Sequence, residues 1–347
     1  MFALRISLAL ATLSAFAFAQ SGESAKGTYQ RIKVHGKSLE GNLSKEPADR
    51  DVSVYLPPSY AKDTSRRYPV VYLLHGYTNS DIGWFGPASR GSFADGNTMT
   101  AAADRAFTGG VGESILVMPN AYTMYQGSMF SNSATTGDWE GFIAKDMVEY
   151  MDSHYRTIPT RAARGLAGHS MGGYGTIRIA MKYPQVFSSI YILSACCLTA
   201  NLNPNPQGSA RAETLKSPEE AKNAERGIAT LLAEAAAWSP DPQNAPFYFD
   251  LPAKDGKIQP AVVARWVANA PLAMIDQYVT SLKTLRIGLD VGDKDGLAAS
   301  NRELNRVLNG YGIQTAFEVY DGDHTNHIVD RMEKVVLPFF AKNLQSR

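Results

Sequence analysis

Short apolar runs rich in β-branched and aromatic residues recur along this chain, each followed by a polar loop and then a helix-like period. Val70 to Leu74, Ser114 to Met118, Arg164 to Ala167, Ser189 to Leu193, Leu285 to Val291 and Thr315 to Tyr320 read as core strands. Unbroken apolarity over so short a span suits a strand buried on both faces, and its alternation with helices predicts a largely parallel sheet covered by helices. Asp51 to Leu56 instead alternates polar and apolar residues, which predicts an outer antiparallel strand stopped by Pro57-Pro58.

Between the strands, Trp139, Phe142, Ile143, Met147 and Tyr150 recur at three- and four-residue steps and share one face of a helix. Tyr174 to Tyr183 reads as a second helix. A last helix carries Ile328, Met332, Val336, Phe339 and Phe340, with Pro338 expected to kink it. Thr199 to Ser281 is too long for a simple crossover between two core strands. Its turn-rich Asn203-Pro204-Asn205-Pro206 and Ser239-Pro240-Asp241-Pro242 bracket an Ala-rich helical stretch, Glu219 to Trp238. Residues 199–281 are expected to form a helical cap insertion at the carboxyl edge of the sheet, where ligands of such sheets bind. No internal repeat interrupts the pattern, so residues 20–347 read as a single domain.

Composition narrows the function classes. Lys plus Arg number 34 against 33 for Asp plus Glu, without any long run of one sign, which argues against a nucleic-acid partner. From Ile6 to Ala19 the chain is uncharged and closes on Ala17-Phe18-Ala19 before Gln20. This is the layout of a cleavable signal peptide, shorter than a bilayer span, so residues 1–19 are expected to be removed and the product to be secreted or periplasmic, without stable membrane insertion. Cys196 and Cys197 are the only cysteines and are adjacent, so they cannot staple distant segments; they are expected to pack as small apolar groups, with a vicinal disulfide as the alternative. Neither a metal site nor a cofactor is implied.

The chemistry-bearing motif is Gly168-His169-Ser170-Met171-Gly172, a G-x-S-x-G directly after a predicted strand and before a predicted helix. Its glycines allow a tight turn that pushes a serine hydroxyl out at the top of a sheet, beside the positive end of a helix. A serine needs a base within hydrogen-bond reach, and the base needs an acid to fix its tautomer. Both follow at later strand ends: Gly292-Asp293-Lys294-Asp295-Gly296, then Asp321-Gly322-Asp323-His324-Thr325-Asn326-His327. His324, on the turn after the strand, is the better base than His327 at the start of the last helix. Spacing leaves Asp295 and Asp293 both open as the acid. For the oxyanion, Met171 supplies the N–H after the nucleophile. The loop His75-Gly76-Tyr77 offers the N–H of Tyr77, with His75 ordering that loop.

Arg50 to Pro58, Tyr68 to Gly76, Ala167 to Gly175, Val291 to Asp295 and Gly322 to His324 together resemble the esterase D family of α/β-hydrolases. That family includes S-formylglutathione hydrolases, feruloyl esterase modules, siderophore esterases and mycolyltransferases. The resemblance implies an α/β-hydrolase fold, a serine carboxylesterase activity on a small-molecule or polysaccharide-linked ester, and a triad of Ser170, Asp295 and His324 with Tyr77 and Met171 as oxyanion donors. It thereby favours Asp295 over Asp293. The cap at 199–281 departs from compact members, and an export signal fits poorly with a cytosolic formylglutathione substrate. Two rival readings are an acyltransferase of the mycolyltransferase type, which passes the acyl group to an alcohol, and a non-catalytic binding protein on the same fold. The second would be expected to lack a triad member, and here every member is present.

Overall fold

The computed structural model describes residues 26–84, 98–200, 202 and 206–346; the expected signal segment and its cleavage site lie outside them. Eight strands form the main sheet: β1 Thr28–His35, β2 Asp49–Leu56, β3 Val70–Leu74, β4 Ile115–Pro119, β5 Arg164–His169, β6 Ser189–Leu193, β7 Arg286–Gly292 and β8 Thr315–Tyr320. Their spatial order is β1-β2-β4-β3-β5-β6-β7-β8. The β1–β2 and β2–β4 pairs are antiparallel, and every other pair is parallel.

Alternation along β3 shows how the sheet divides the core. Val70, Tyr72 and Leu74 join the apolar cluster on one face, while Val71 and Leu73 join the cluster on the other, and all five are fully buried. Helices cover both faces, as a parallel sheet without a wet side requires. They include α1 Met99–Thr108, α2 over 139–154, α3 Met171–Lys182, α4 Arg226–Trp238, α5 Pro260–Asn269, α6 Pro271–Leu282, α7 Ala298–Gly310 and α8 over 328–343. Buried Glu140 of α2 accepts from Arg178 Nε at 2.6 Å and from Lys182 Nζ at 2.9 Å, fastening α2 to α3. That contact steadies the helix that begins beside Ser170.

Several expectations shift. Strand β2 is not at the edge, because β1, whose exposed and polar positions hide its character, pairs along its outer side. The Ala-rich stretch is two helices, Pro218–Ala221 and α4, separated by Lys222 to Glu225. Helix α6 ends the 199–281 insertion but packs against α3 and so also serves as a covering layer. Around Pro338 the helix widens: Leu337 N–H reaches back five residues to Met332 O in a π turn over Met332–Val336. A proline supplies no N–H of its own, so the ladder is already irregular where it enters. Among the described residues no helix is long and apolar enough to cross a membrane.

Candidate active site

Parallel register delivers the site loops to one edge. Leu74 pairs with Gly168, Gly168 with Ile192, and Gly292 with Tyr320, so the loops after β3, β5, β6, β7 and β8 leave the sheet side by side. Ser170 caps α3 with φ 58° and ψ −114°, a backbone state that a residue with a side chain adopts only when its surroundings hold it there. The Ser170 N–H donates to Leu193 O at 3.0 Å, and Ser170 O accepts from Tyr174 N and Cys196 N at 3.1 and 3.2 Å. The motif glycines are sterically required. A Cβ on Gly168 would come within 2.3 Å of Gly172 O, and one on Gly172 within 2.0 Å of Leu74 O.

Ser170, His324 and Asp295 form one hydrogen-bonded chain. His324 Nε2 lies 3.0 Å from Ser170 Oγ, and His324 Nδ1 lies 2.8 Å from Asp295 Oδ2. A carboxylate only accepts, so Nδ1 carries the proton and Nε2 is left to accept from the serine hydroxyl. The Asp295 side chain is 1% exposed and the His324 side chain 35%, so the carboxylate is sealed in while the imidazole stays reachable. Burial opposes ionisation of Asp295, but the bonds from His324 and the Leu297 N–H outweigh it and hold the carboxyl below its ordinary range.

The alternatives weighed on sequence fall elsewhere. Asp293 Oδ1 accepts from Gly322 N at 3.0 Å, tying the loop after β7 to the loop after β8. His327 caps α8 in a left-handed conformation and faces Asp330 at 3.6 Å. His75 is buried and donates from Nδ1 to Gly76 O at 2.8 Å, while its Nε2 accepts from Ala121 N at 2.9 Å. It orders the loop, and burial lowers its pKa to about 4. The two cysteines are free thiols packed against the core.

Tyr77 and Met171 converge next to the serine. A Cβ on Gly76 would sit 3.5 Å from Ser170 Cβ, and one on Gly127 would approach the Tyr77 ring to 2.6 Å and Met171 Sδ to 2.8 Å. Met171 opens α3, so its N–H has no acceptor within the helix. The Tyr77 loop is pinned by Tyr77 Oη donating to Tyr125 O and Thr78 N donating to Gln126 O, both at 3.0 Å.

Two supporting residues carry no motif signal. His169 Nε2 donates to His324 O at 2.7 Å, which fixes the backbone of His324 from inside the serine turn. Buried Asn301 of α7 accepts from Ala195 N and donates to Ala195 O, holding the loop that packs on Gly173. His169 occupies a free position of G-x-S-x-G, and Asn301 lies in an otherwise amphipathic helix, so neither stands out without coordinates. Among the described residues no cluster of three or more His, Cys, Asp or Glu gathers for a metal ion.

The chain is 30% identical over 139 residues to Esterase Rv1288 of Mycobacterium tuberculosis, a stretch that covers 40% of this chain and 27% of that one. It thus spans about a quarter of the length of the curated relatives it matches. Among solved structures it is similar to a ferulic acid esterase at TM-score 0.63 and 21% identity, covering 92% of this chain and 99% of that one. It is similar also to FphF of Staphylococcus aureus, a fluorophosphonate-binding serine hydrolase, at TM-score 0.60 and 18% identity over 91% and 99% of the two chains. An S-formylglutathione hydrolase of Agrobacterium tumefaciens gives TM-score 0.58 at 15% identity over 93% and 98%. These likenesses show the α/β-hydrolase fold. The family model described as "Putative esterase" matches residues 45–328, most of the chain, and the protein belongs to that esterase family.

Proposed function

We propose that the protein is an exported serine hydrolase of carboxylic esters that works through an acyl-enzyme on Ser170. The observation that carries this reading is the unbroken chain from Asp295 through His324 to Ser170, at 2.8 and 3.0 Å. As Ser170 Oγ bonds to the ester carbonyl carbon, its proton passes to His324 Nε2. The imidazolium so formed is stabilised by ionised Asp295. The carbonyl oxygen gains the negative charge and accepts from the N–H groups of Tyr77 and Met171. The alcohol leaves with the proton held on His324, and water then repeats the cycle to release the acid and restore Ser170.

Export rests on residues 1–19 alone, and N-terminal sequencing of secreted material checks it: a mature chain starting near Gln20 is expected, and one retaining Met1 contradicts it. Acyl transfer to water is separated from transfer to an alcohol by offering glycerol and weighing new ester against free acid. Rapid quenching during turnover of an activated ester, followed by peptide mass spectrometry, is expected to find the acyl group on the peptide containing Ser170. An acyl group on another residue, or turnover with a burst but no Ser170 adduct, overturns the reading.

A further inference from the structure

Strand β6 ends at Leu193, and the chain runs on through Ser194, Ala195, Cys196, Cys197 and Leu198 beside the turn that carries Ser170. This loop is tied down on both sides of its cysteines. Ser194 N–H donates to Asp290 O at 2.9 Å, Ala195 N–H donates to Asn301 Oδ1 at 3.0 Å, and Leu198 O accepts from Leu272 N at 3.0 Å. Between these anchors Cys196 N–H donates to Ser170 O at 3.2 Å, one of the main-chain bonds that hold Ser170 at φ 58°. The peptide after it is unrestrained: among the described residues neither Cys196 O nor the main chain of Cys197 makes a hydrogen bond. Cys197 nonetheless stands at φ 58°, a conformation that favours glycine.

Both thiols are free and half-buried, and they lie against each other. They are the only cysteines of the chain, so no other thiol of the protein competes for either. Neighbouring thiols have one reaction that a single thiol lacks, closure on each other. Consecutive Cα atoms stand about 3.8 Å apart, whereas disulfides ordinarily span about 4.4 to 6.8 Å, so the closed ring is strained and a thiol reductant reopens it readily. Closure turns the peptide between the two residues, the one that no hydrogen bond holds. It turns about Cys196, whose own N–H is the donor to Ser170 O.

We propose that Cys196 and Cys197 are an oxidation site that a small disulfide converts to a vicinal disulfide, slowing acyl transfer at Ser170 until a thiol reopens the ring. The effect on rate rests on the ester-hydrolase reading given above. One cysteine thiolate attacks a sulfur of the disulfide R–S–S–R and expels R–S⁻; the neighbouring thiolate then attacks the mixed disulfide and expels the second R–S⁻. The two protons lost by the cysteines go to the departing thiolates. Two protein thiols are thereby oxidised, and one disulfide is reduced to two molecules of R–SH.

The test treats reduced, desalted protein with oxidised glutathione and follows intact mass, peptide maps, turnover of 4-nitrophenyl acetate and the rate of fluorophosphonate labelling at Ser170. The expected product has lost two hydrogens and carries both cysteines linked within one peptide. Its kcat and labelling rate are expected to fall by at least about tenfold, the consequence of a small displacement of Ser170, and dithiothreitol restores both. The double variant Cys196→Ser with Cys197→Ser is expected to behave alike with and without oxidised glutathione. Thiols that stay free, or that carry glutathione adducts only, overturn the site. A closed ring with kcat and labelling within about twofold of the reduced protein, or an equal loss in the double variant, overturns the coupling to Ser170. A reduced protein that is labelled at Ser170 but inert toward the ester overturns the ester-hydrolase reading alone, and the labelling rate then decides this proposal.

Discussion

His169 Nε2 donates to the carbonyl oxygen of His324 at 2.7 Å, and the two rings lie 4.7 Å apart between centroids. The residue before Ser170 thereby holds the backbone of the histidine whose ring reaches the Ser170 hydroxyl. Burial, together with the neighbouring His324, lowers the His169 pKa to about 4, so it remains a neutral donor at working pH.

This link predicts that His169→Ala lowers kcat by roughly 10- to 100-fold, the penalty expected when a reacting group drifts by an ångström, with KM changed far less. His169→Gln, which keeps an N–H donor, is expected to recover part of the loss. Steady-state kinetics of both variants checks this. An unchanged kcat in His169→Ala contradicts a positioning role.

The two acid-loop aspartates predict different phenotypes. Asp295→Asn is expected to cost on the order of 10⁴ in kcat, because the amide no longer holds His324 in the tautomer that leaves Nε2 free. Asp293→Ala instead removes the acceptor for Gly322 N and is expected to cost about 1 kcal/mol of stability with a much smaller effect on turnover. Paired kinetics and denaturation curves decide, and a crippled, stable Asp293→Ala beside an active Asp295→Asn contradicts the assignment.

Acid is expected to destabilise the fold through His75. In the unfolded chain its imidazole takes up a proton as pH falls through 6.5, whereas in the folded protein it resists until about 4. The unfolded state therefore binds more protons in that window, and stability is lost as pH falls across it, by up to about 3 kcal/mol from this residue. Protonation would also set an Nε2–H against the Ala121 N–H that now donates to it. Melting temperatures between pH 7.5 and 4.5 should fall for wild type and fall less steeply for His75→Gln. Equal slopes contradict this account.

A stability prediction concerns the acid shared by α2 and α3. Glu140→Ala leaves the buried Arg178 without its carboxylate and is expected to cost about 3–5 kcal/mol, read from urea denaturation. A loss under 1 kcal/mol contradicts the view that this ion pair fastens the two helices.

How far the sequence discloses this architecture follows from the strength of each signal. Buried parallel strands such as Val70–Leu74 announce themselves by unbroken apolarity, and G-x-S-x-G needs its glycines because larger residues would strike neighbouring backbone. His324 is legible because it follows a strand end. Strand β1 is not, since its burial alternates weakly and its pairing with β2 is a tertiary fact. Spacing alone does not separate Asp295 from Asp293, because each stands in the same turn; only the direction of the side chains separates them.

The central claim is that Ser170 is the nucleophile, and its most direct test compares wild type with Ser170→Ala using a fluorophosphonate probe and an activated ester. Alanine removes one oxygen at a turn already lined by glycines, so the variant is expected to fold with an unchanged far-ultraviolet spectrum. Wild type should take up one phosphonate on the peptide spanning Gly168 to Gly172 and hydrolyse the ester. Ser170→Ala should remain unlabelled and lose turnover by roughly 10⁴-fold or more, apart from a residual rate due to the oxyanion donors. A folded Ser170→Ala that hydrolyses the ester near the wild-type rate would contradict the nucleophile assignment and the mechanism built on it.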